Sequence, residues 1–199
     1  MFKNYFTIAL RNLARNKVYA FINIAGLSIG LACAMLILLY VKDEISYDRF
    51  HTNVQNIYRI TTQEIEKDGK GGRKDGNTGY LQGPRFTKNV PGIKTFVRVQ
   101  SGYEDIKTGT EVKSQDLLKV DSSFFSVFSF PLLSGDPKTC LAEPNSVVIS
   151  EDVAKKQFGT TDAMGKIIML KDDSDFVPYK VTAVSKKCPQ NSSIKFEML

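Results

Sequence analysis

One uninterrupted apolar stretch constrains this chain more than any other feature of its sequence. From Val18 to Val41 the sequence reads VYAFINIAGLSIGLACAMLILLYV, and Asn23 is its most polar side chain. A helix of roughly 24 residues rises about 36 Å, enough to cross a hydrocarbon core of about 30 Å with some tilt. A buried core helix of this length would normally carry a polar stripe. We therefore predict one transmembrane helix over residues 18–41.

The residues that flank this stretch predict its orientation. Four cations and no acid precede it, namely Lys3, Arg11, Arg15 and Lys17. Cations close to the end of a membrane helix remain in the cytoplasm, so we expect a cytoplasmic N-terminus and an external main domain. The same four residues supply most of the formal net charge of +6. The basic balance is thus a topology signal, and we expect no nucleic-acid partner.

A cleaved signal peptide or a lipoprotein anchor is the alternative to a membrane helix. The apolar core of a signal peptide is about 7–15 residues long, which is shorter than this stretch. Cys33 follows Gly30-Leu31-Ala32 and lacks a leucine three places before it, and the apolar run continues to Val41. Both features favour a retained helix.

Two further patterns concern the membrane. Apolar residues recur at helical spacing before the apolar stretch, at Phe2, Tyr5, Phe6, Ala9, Leu10 and Leu13. They predict an amphipathic helix within residues 1–17 that lies on the cytoplasmic headgroups, the alternative being a frayed basic tail. Inside the stretch, Gly26 and Gly30 form G-x-x-x-G, and Ser28 and Ala32 repeat the spacing. Small residues at this spacing let a second membrane helix approach closely.

The remainder of the chain predicts an α+β domain over residues 57–199. Alternating or β-rich segments predict strands at 57–63, 96–100, 117–120, 146–149, 166–170 and 179–184. Asp121 is expected to cap a short helix through Phe128, and Ser150 a helix that Gly159 ends. Strand–helix–strand units thus occur about twice. Residues 67–79 are interpreted as a polar, glycine-rich loop.

The sequence offers no constellation for catalysis, a cofactor or a metal. Its single histidine, His51, has no nearby cysteine or paired carboxylates. The acidic run Asp172, Asp173 and Asp175 is interpreted as a hairpin turn, since the twelve-residue calcium loop is absent. The sequence does not decide whether Cys140 and Cys188 form a disulfide, because bonding depends on the distance between their Cα atoms.

The juxtamembrane segment, residues 42–56, is predicted to form a stalk. Charged residues cluster in it, and two interpretations remain open. Asp43, Glu44 and Asp48 could be solvated and paired with Arg49, or the segment could be a hinge that passes motion from the helix into the domain.

Several stretches of the chain, taken together, resemble the MacB/FtsX-type ABC transporter permeases, especially their Bacteroidetes branch. The stretches are 4–17, 21–32, 43–51, 124–136, 144–150, 154–159, 164–166 and 189–196. One departure lies at 79–89, where the family usually shows a run rich in small residues and proline. Here Gln82, Arg85 and Lys88 interrupt it.

The resemblance implies a non-enzymatic permease of the bacterial inner membrane with a MacB-like periplasmic core domain. Its implied partners are a cytoplasmic ABC ATPase, the lipid bilayer, a second permease in a dimer, and a periplasmic partner or cargo. In such a protein ATP-driven motion reaches the periplasm by mechanotransmission, and the coupling stalk would be Asp43, Glu44, Tyr47, Asp48 and Arg49. Family permeases have further membrane helices after the periplasmic domain, so we expect this chain to be an N-terminal fragment.

Two other classes of protein remain as alternatives. A single-pass, membrane-anchored periplasmic binding or sensory module would be complete with one helix. A membrane-tethered enzyme would require the acid–base or metal constellation that the sequence does not offer.

Overall fold

The computed structural model of the 199-residue chain describes residues 2–65, 71–108, 110–172 and 174–199. The chain forms two compact units: unit 1 is Met1–Tyr47 and unit 2 is Asp48–Leu199. The predicted stalk of residues 42–56 is thus divided between the two units.

Unit 1 consists of two helices, α1 (Phe2–Arg15) and α2 (Lys17–Glu44). Asn16 separates them with non-helical φ and ψ of −108° and 58°, and its side-chain amide donates to Asn12 Oδ1 at 3.0 Å. α2 has 28 residues, and its most apolar window has a mean hydropathy of 2.4. By length and composition it can therefore cross a membrane. It extends past the predicted 18–41 because Lys42, Asp43 and Glu44 continue the helix, and lysine and glutamate favour helix.

The described part of unit 2 contains eight strands and three helices, with a 3-10 turn at Val54–Asn56. The strands are β1 (Thr62–Ile65), β2 (Gly71–Asp75), β3 (Val99–Thr108), β4 (Glu111–Val120), β5 (Leu132–Ser134), β6 (Ser146–Ser150), β7 (Ile167–Asp172) and β8 (Asp175–Ser185). The helices are α3 (Gln82–Asn89), α4 (Phe124–Val127) and α5 (Glu151–Phe158). This mixture confirms the predicted α+β class.

Six of these strands form one sheet in the order β4-β3-β7-β8-β5, and β6 pairs with β8 on the side opposite β5. The β3–β4 and β7–β8 pairs are antiparallel hairpins, whereas β6 runs parallel to β8. α5 follows β6 directly and precedes the β7–β8 hairpin. Strands β1 and β2 form a separate antiparallel pair.

Residues 197–199 link the two outer strands β6 and β4. Leu199 exchanges backbone hydrogen bonds with Val148 at 2.9 and 3.0 Å, and Ser150 N–H donates to the Glu197 carbonyl at 2.8 Å. On the other side, Leu118 N–H donates to the Met198 carbonyl at 3.0 Å. The sheet is therefore curled, and this segment fills the gap between its outer strands.

Two hydrophobic clusters hold unit 2 together. The first, the sheet core, includes Ile106, Leu117, Ile149, Val184 and Met198. The second, the aromatic cluster, contains Phe124, Phe125, Phe130, Phe196, Cys140, Val148 and Ala183. Val147 and Ile149 belong to the first and Val148 to the second, because alternate residues of a strand face opposite sides.

The thiols of Cys140 and Cys188 are both free. Burial raises the pKa of Cys140 to about 11 and also raises that of Cys188, which packs against the aromatic cluster. Both are therefore protonated, unreactive side chains in an apolar setting.

Local signals placed α5 and its neighbours correctly. Ser150 Oγ accepts the Val153 N–H at 3.2 Å, and Gly159 ends the helix in the left-handed region with φ of 69°. Asp172 pairs with Asp175 at the β7–β8 turn, as the hairpin interpretation predicted, while Asp173 lies outside the described residues.

Other predicted elements differ from the structure. The strand expected at 57–63 occurs at Thr62–Ile65, and the expected loop at 67–79 contains β2; residues 66–70 lie outside the described range. The strands expected at 96–100 and 117–120 are only the ends of β3 and β4, whose other residues are largely polar and exposed. Strand β5 was not predicted.

Asp121 does not cap α4 with its side chain. Its carboxylate accepts the backbone N–H of Arg98 at 2.7 Å and Nε of the same residue at 3.0 Å, and the N-cap of α4 is Ser123. Burial would raise the pKa of Asp121, but the hydrogen bonds and charge of Arg98 lower it below its usual range. This ion pair ties the segment before β3 to the end of β4.

Candidate functional site

Three stretches that are far apart in sequence meet where unit 2 begins. They are residues 48–52, 128–130 and 191–193. We call the five residues whose side chains join them the stalk clamp: Asp48, His51, Thr52, Ser129 and Ser193.

Asp48 is the first residue of unit 2 and fixes the chain there by its backbone and its side chain. Its N–H donates to the Asn191 carbonyl at 2.9 Å. Its carboxylate accepts the Ser193 N–H at 2.9 Å and also the Ser193 hydroxyl. Its φ is +57°, a left-handed conformation that aspartate tolerates better than most residues do. Aspartate therefore suits this position both by its backbone conformation and by its hydrogen bonds.

His51 is buried beside the aromatic cluster, with only 4% of its surface exposed. Its ring lies 4.0 Å from that of Phe50, 5.3 Å from Phe128 and 5.2 Å from Phe130, measured between centroids. Nδ1 accepts the Ser129 N–H at 3.0 Å, which requires that this nitrogen carry no proton. Burial lowers the pKa of His51, and the carboxylate of Asp48 offsets part of this effect. His51 is thus a neutral packing and hydrogen-bonding residue.

Thr52 completes the clamp on the side of Ser129. Its N–H donates to Ser129 Oγ at 3.1 Å, and the two hydroxyl oxygens lie 2.8 Å apart. Phe196, shortly after Ser193, packs edge-on against Phe130 with the centroids 5.0 Å apart. The clamp is therefore continuous with the aromatic cluster.

The other predicted stalk residues lie elsewhere. Asp43 and Glu44 end α2, and their carbonyls accept the N–H groups of Ser46 and Tyr47. Arg49 is exposed, and no ion pair among the described residues includes it. The interpretation of a mutually paired stalk is therefore wrong for Asp48, because Ser193 holds its carboxylate.

The predicted packing face and the predicted topology signal lie in unit 1. Gly26, Ser28, Gly30 and Ala32 are exposed on α2, and a Cβ added at either glycine would meet no atom within 4 Å. Lys3, Arg11 and Arg15 lie on α1, and Lys17 is the first residue of α2. Within the described chain, this face of α2 is open to another helix.

Reasoning from the sequence did not find the partners of the stalk. Ser129 and Ser193 are 78 and 145 residues from His51 and Asp48, and no local pattern connects them. One signal was available: the three stretches of the clamp all fall within or beside segments that carry the resemblance, 43–51, 124–136 and 189–196.

Comparison with known proteins gives a family match over most of the chain. The family model described as "MacB-like periplasmic core domain" matches residues 20–197. No curated protein sequence matches the chain significantly.

One solved structure resembles part of this chain in fold, and two others have lower TM-scores. A domain from Porphyromonas gingivalis, described as belonging to a permease, has a TM-score of 0.55 at 22% identity over 70% of this chain. This chain spans 59% of that structure. The periplasmic region of MacB from Actinobacillus actinomycetemcomitans has a TM-score of 0.44 at 17% identity, covering 56% of this chain and 51% of that one. The extracellular domain of the transporter YknZ from Gram-positive bacteria has a TM-score of 0.43 at 22% identity, covering 57% of each chain.

Proposed function

Because the chain belongs to the family of the MacB-like periplasmic core domain, we propose that it acts as a permease subunit of an ABC transporter. It contributes a membrane helix, α2, and a periplasmic domain, unit 2. In this proposal α2 crosses the bacterial inner membrane with its N-terminus in the cytoplasm. The cations at Lys3, Arg11, Arg15 and Lys17 support that orientation.

The observation that carries the proposal is the stalk clamp. A helix can move a domain only if the chain between them is held firmly at the domain. Here Asp48, His51 and Thr52, at the start of unit 2, are bound by backbone, carboxylate, imidazole and hydroxyl contacts to two distant segments. Displacement of the chain at Asp48 would therefore reach residues 128–130 and 191–193 together.

Energy for this motion would come from a separate cytoplasmic ATPase. The chain itself acts mechanically in this proposal and is not an enzyme. Asp43, Glu44, Tyr47 and Arg49 make up the rest of the coupling stalk, on either side of the boundary between the units.

The small-residue face of α2 supports assembly with further membrane helices, including those of a second permease. Gly26 and Gly30 leave that face without side-chain bulk, and Ser28 and Ala32 add little. Helices in lipid associate through such surfaces because close packing replaces the hydrophobic drive.

Hydrogen exchange in the assembled transporter tests the coupling. The chain would be purified with its ABC ATPase in lipid nanodiscs, and exchange compared between the ATP-free and vanadate-trapped states. We expect exchange to change jointly in residues 48–52, 128–130 and 191–193. The variant Asp48→Ala with Ser193→Ala should abolish the change in the last segment and uncouple ATP hydrolysis from it.

The matched control is Asp116→Ala with Ser114→Ala, which makes the same two changes of residue type at exposed positions of β4 outside the coupling stalk and the clamp. It should retain the nucleotide-dependent change. An assembled wild-type transporter whose three segments do not respond to nucleotide would contradict coupling through the clamp. A chain that never associates with an ABC ATPase would instead favour the anchored binding or sensory module.

A further inference from the structure

Helix α3 packs on the rest of unit 2 with its least apolar side. Gly83 and Thr87 face inward, and a Cβ at Gly83 would lie 2.7 Å from the ring of Phe96. The Thr87 hydroxyl donates to the Gly83 carbonyl at 3.0 Å, so the Thr87 side chain is satisfied within the helix. The inward face is therefore closely packed although it has few apolar side chains.

The large apolar side chains of this segment point outward. Tyr80 is 68% exposed, Leu81 56% and Phe86 39%. Single exposed apolar residues are normal on protein surfaces, but these three lie within seven residues of one another along the chain. Grouped in this way, they are typical of a surface that is covered by something else.

The same segment is exclusively basic. No acidic residue occurs between Asp75 and Glu104. Arg85, Lys88 and Lys94 are exposed, and the described residues contain no ion pair with any of them. Arg98 differs, because it is held by Asp121 and lies 3.9 Å over the ring of Tyr80. We call the six outward residues Tyr80, Leu81, Arg85, Phe86, Lys88 and Lys94 the α3 surface.

We propose that the α3 surface binds an anionic phospholipid surface. Its charge excludes a second copy of itself, because like cations would face each other. A phospholipid surface offers phosphates directly above an apolar layer, which matches cations that alternate closely with aromatic and aliphatic side chains. Unit 2 also begins four residues after α2, and a membrane-embedded α2 keeps unit 2 at a high effective concentration near lipid.

This inference does not depend on the transport proposal, and a single reporter can test it. The chain contains no tryptophan, so Phe86→Trp introduces one fluorophore on the α3 surface. The full chain would be placed in phosphatidylcholine nanodiscs and mixed with vesicles that carry brominated acyl chains, which quench tryptophan on contact. One set of vesicles contains phosphatidylcholine alone and the other contains phosphatidylglycerol as well.

We expect quenching by the anionic vesicles and little by the zwitterionic ones. Neutralising one cation should weaken association about fivefold, and the triple variant Arg85→Gln, Lys88→Gln, Lys94→Gln on the order of a hundredfold. Added salt should weaken it as well, since exposed charges are screened.

Two controls separate this surface from general charge and exposure. Three other cations are exposed and form no ion pair among the described residues, namely Lys138, Lys156 and Lys186. Neutralising them should leave the quenching unchanged. A reporter at Tyr103→Trp, on exposed β3, should not be quenched.

Three results would overturn the proposal. The first is equal quenching by both kinds of vesicle, which indicates apolar contact alone. The second is no quenching of the Phe86→Trp reporter by either kind. The third is a reporter that responds to an acidic polypeptide such as polyglutamate but not to lipid, which indicates a protein partner.

Discussion

Unit 2 uses aromatic and polar residues in opposite ways at the stalk clamp and at the α3 surface. At the clamp, His51 and its neighbouring phenylalanines are buried or half-buried, and the polar atoms that join the three stretches have partners. At α3, tyrosine, leucine and phenylalanine are outside, beside cations without ion pairs among the described residues, while glycine and threonine face inward. The clamp therefore contributes to stability, whereas the α3 surface contributes little to it and is available for binding.

The largest expected effect contrasts a phenylalanine of the aromatic cluster, which is continuous with the clamp, with a phenylalanine of the α3 surface. Phe124 is fully buried, stacks on Phe130 at 5.6 Å and meets Phe196 edge-on. Phe124→Ala should lower the free energy of unfolding by about 3–5 kcal/mol, because a cavity replaces the ring. Urea unfolding of the detergent-solubilised chain measures this. Phe86→Ala is the matched control, and a loss there as large as that of Phe124→Ala would show that the two regions do not differ.

A glycine pair tests whether the inward side of α3 is packed. Gly83→Ala places a methyl group against the Phe96 ring, so we expect a loss of about 1–3 kcal/mol despite the better helix propensity of alanine. Gly102→Ala, where the added atom meets nothing within 4 Å, should change stability by less. Hydrogen exchange of residues 82–89 locates the effect. If Gly83→Ala stabilised the helix, the close contact with Phe96 would be refuted.

The smallest effect concerns the pH dependence of the clamp. Burial lowers the pKa of His51 in the folded chain below its ordinary value of 6.5. As the pH falls below this value, the unfolded chain takes up a proton before the folded chain does. The free energy of unfolding should therefore decrease, with a slope of at most about 1.4 kcal/mol per pH unit, until the folded pKa is reached.

The chain has one histidine, which makes this pH window specific. His51→Asn retains an acceptor for the Ser129 N–H but does not titrate, so its stability should be flat in the same range. Equal slopes for the wild type and His51→Asn would assign the dependence to other groups.

The sequence allowed correct prediction where the signals were local. α5 has a serine cap at its start and a glycine at its end, and β6 is a continuous apolar strand. The long apolar stretch likewise defined α2 nearly to its ends. In each case a few neighbouring residues determine the structure, whatever the rest of the chain does.

Prediction failed where long-range pairing decides the structure. Most residues of β3 and β4 are polar and exposed on both faces of the hairpin, so they lack the alternation that predicts a strand. What defines these strands is their pairing with each other. β2 likewise has no local signal, because its residues are glycines and charged side chains and are largely exposed. The clamp also depends on Ser129 and Ser193, which are ordinary serines until the fold brings them to the stalk.

The segment at 197–199 has a consequence for synthesis of the protein. A ribosome delivers β4 and β6 long before the residues that join them. Until that segment arrives, Met198 is missing from the sheet core, and the N–H and C=O groups of Val148 lack their partners. An unpaired apolar strand edge invites pairing with other chains. The nascent domain thus presents this edge of β6 until residues 197–199 are in place.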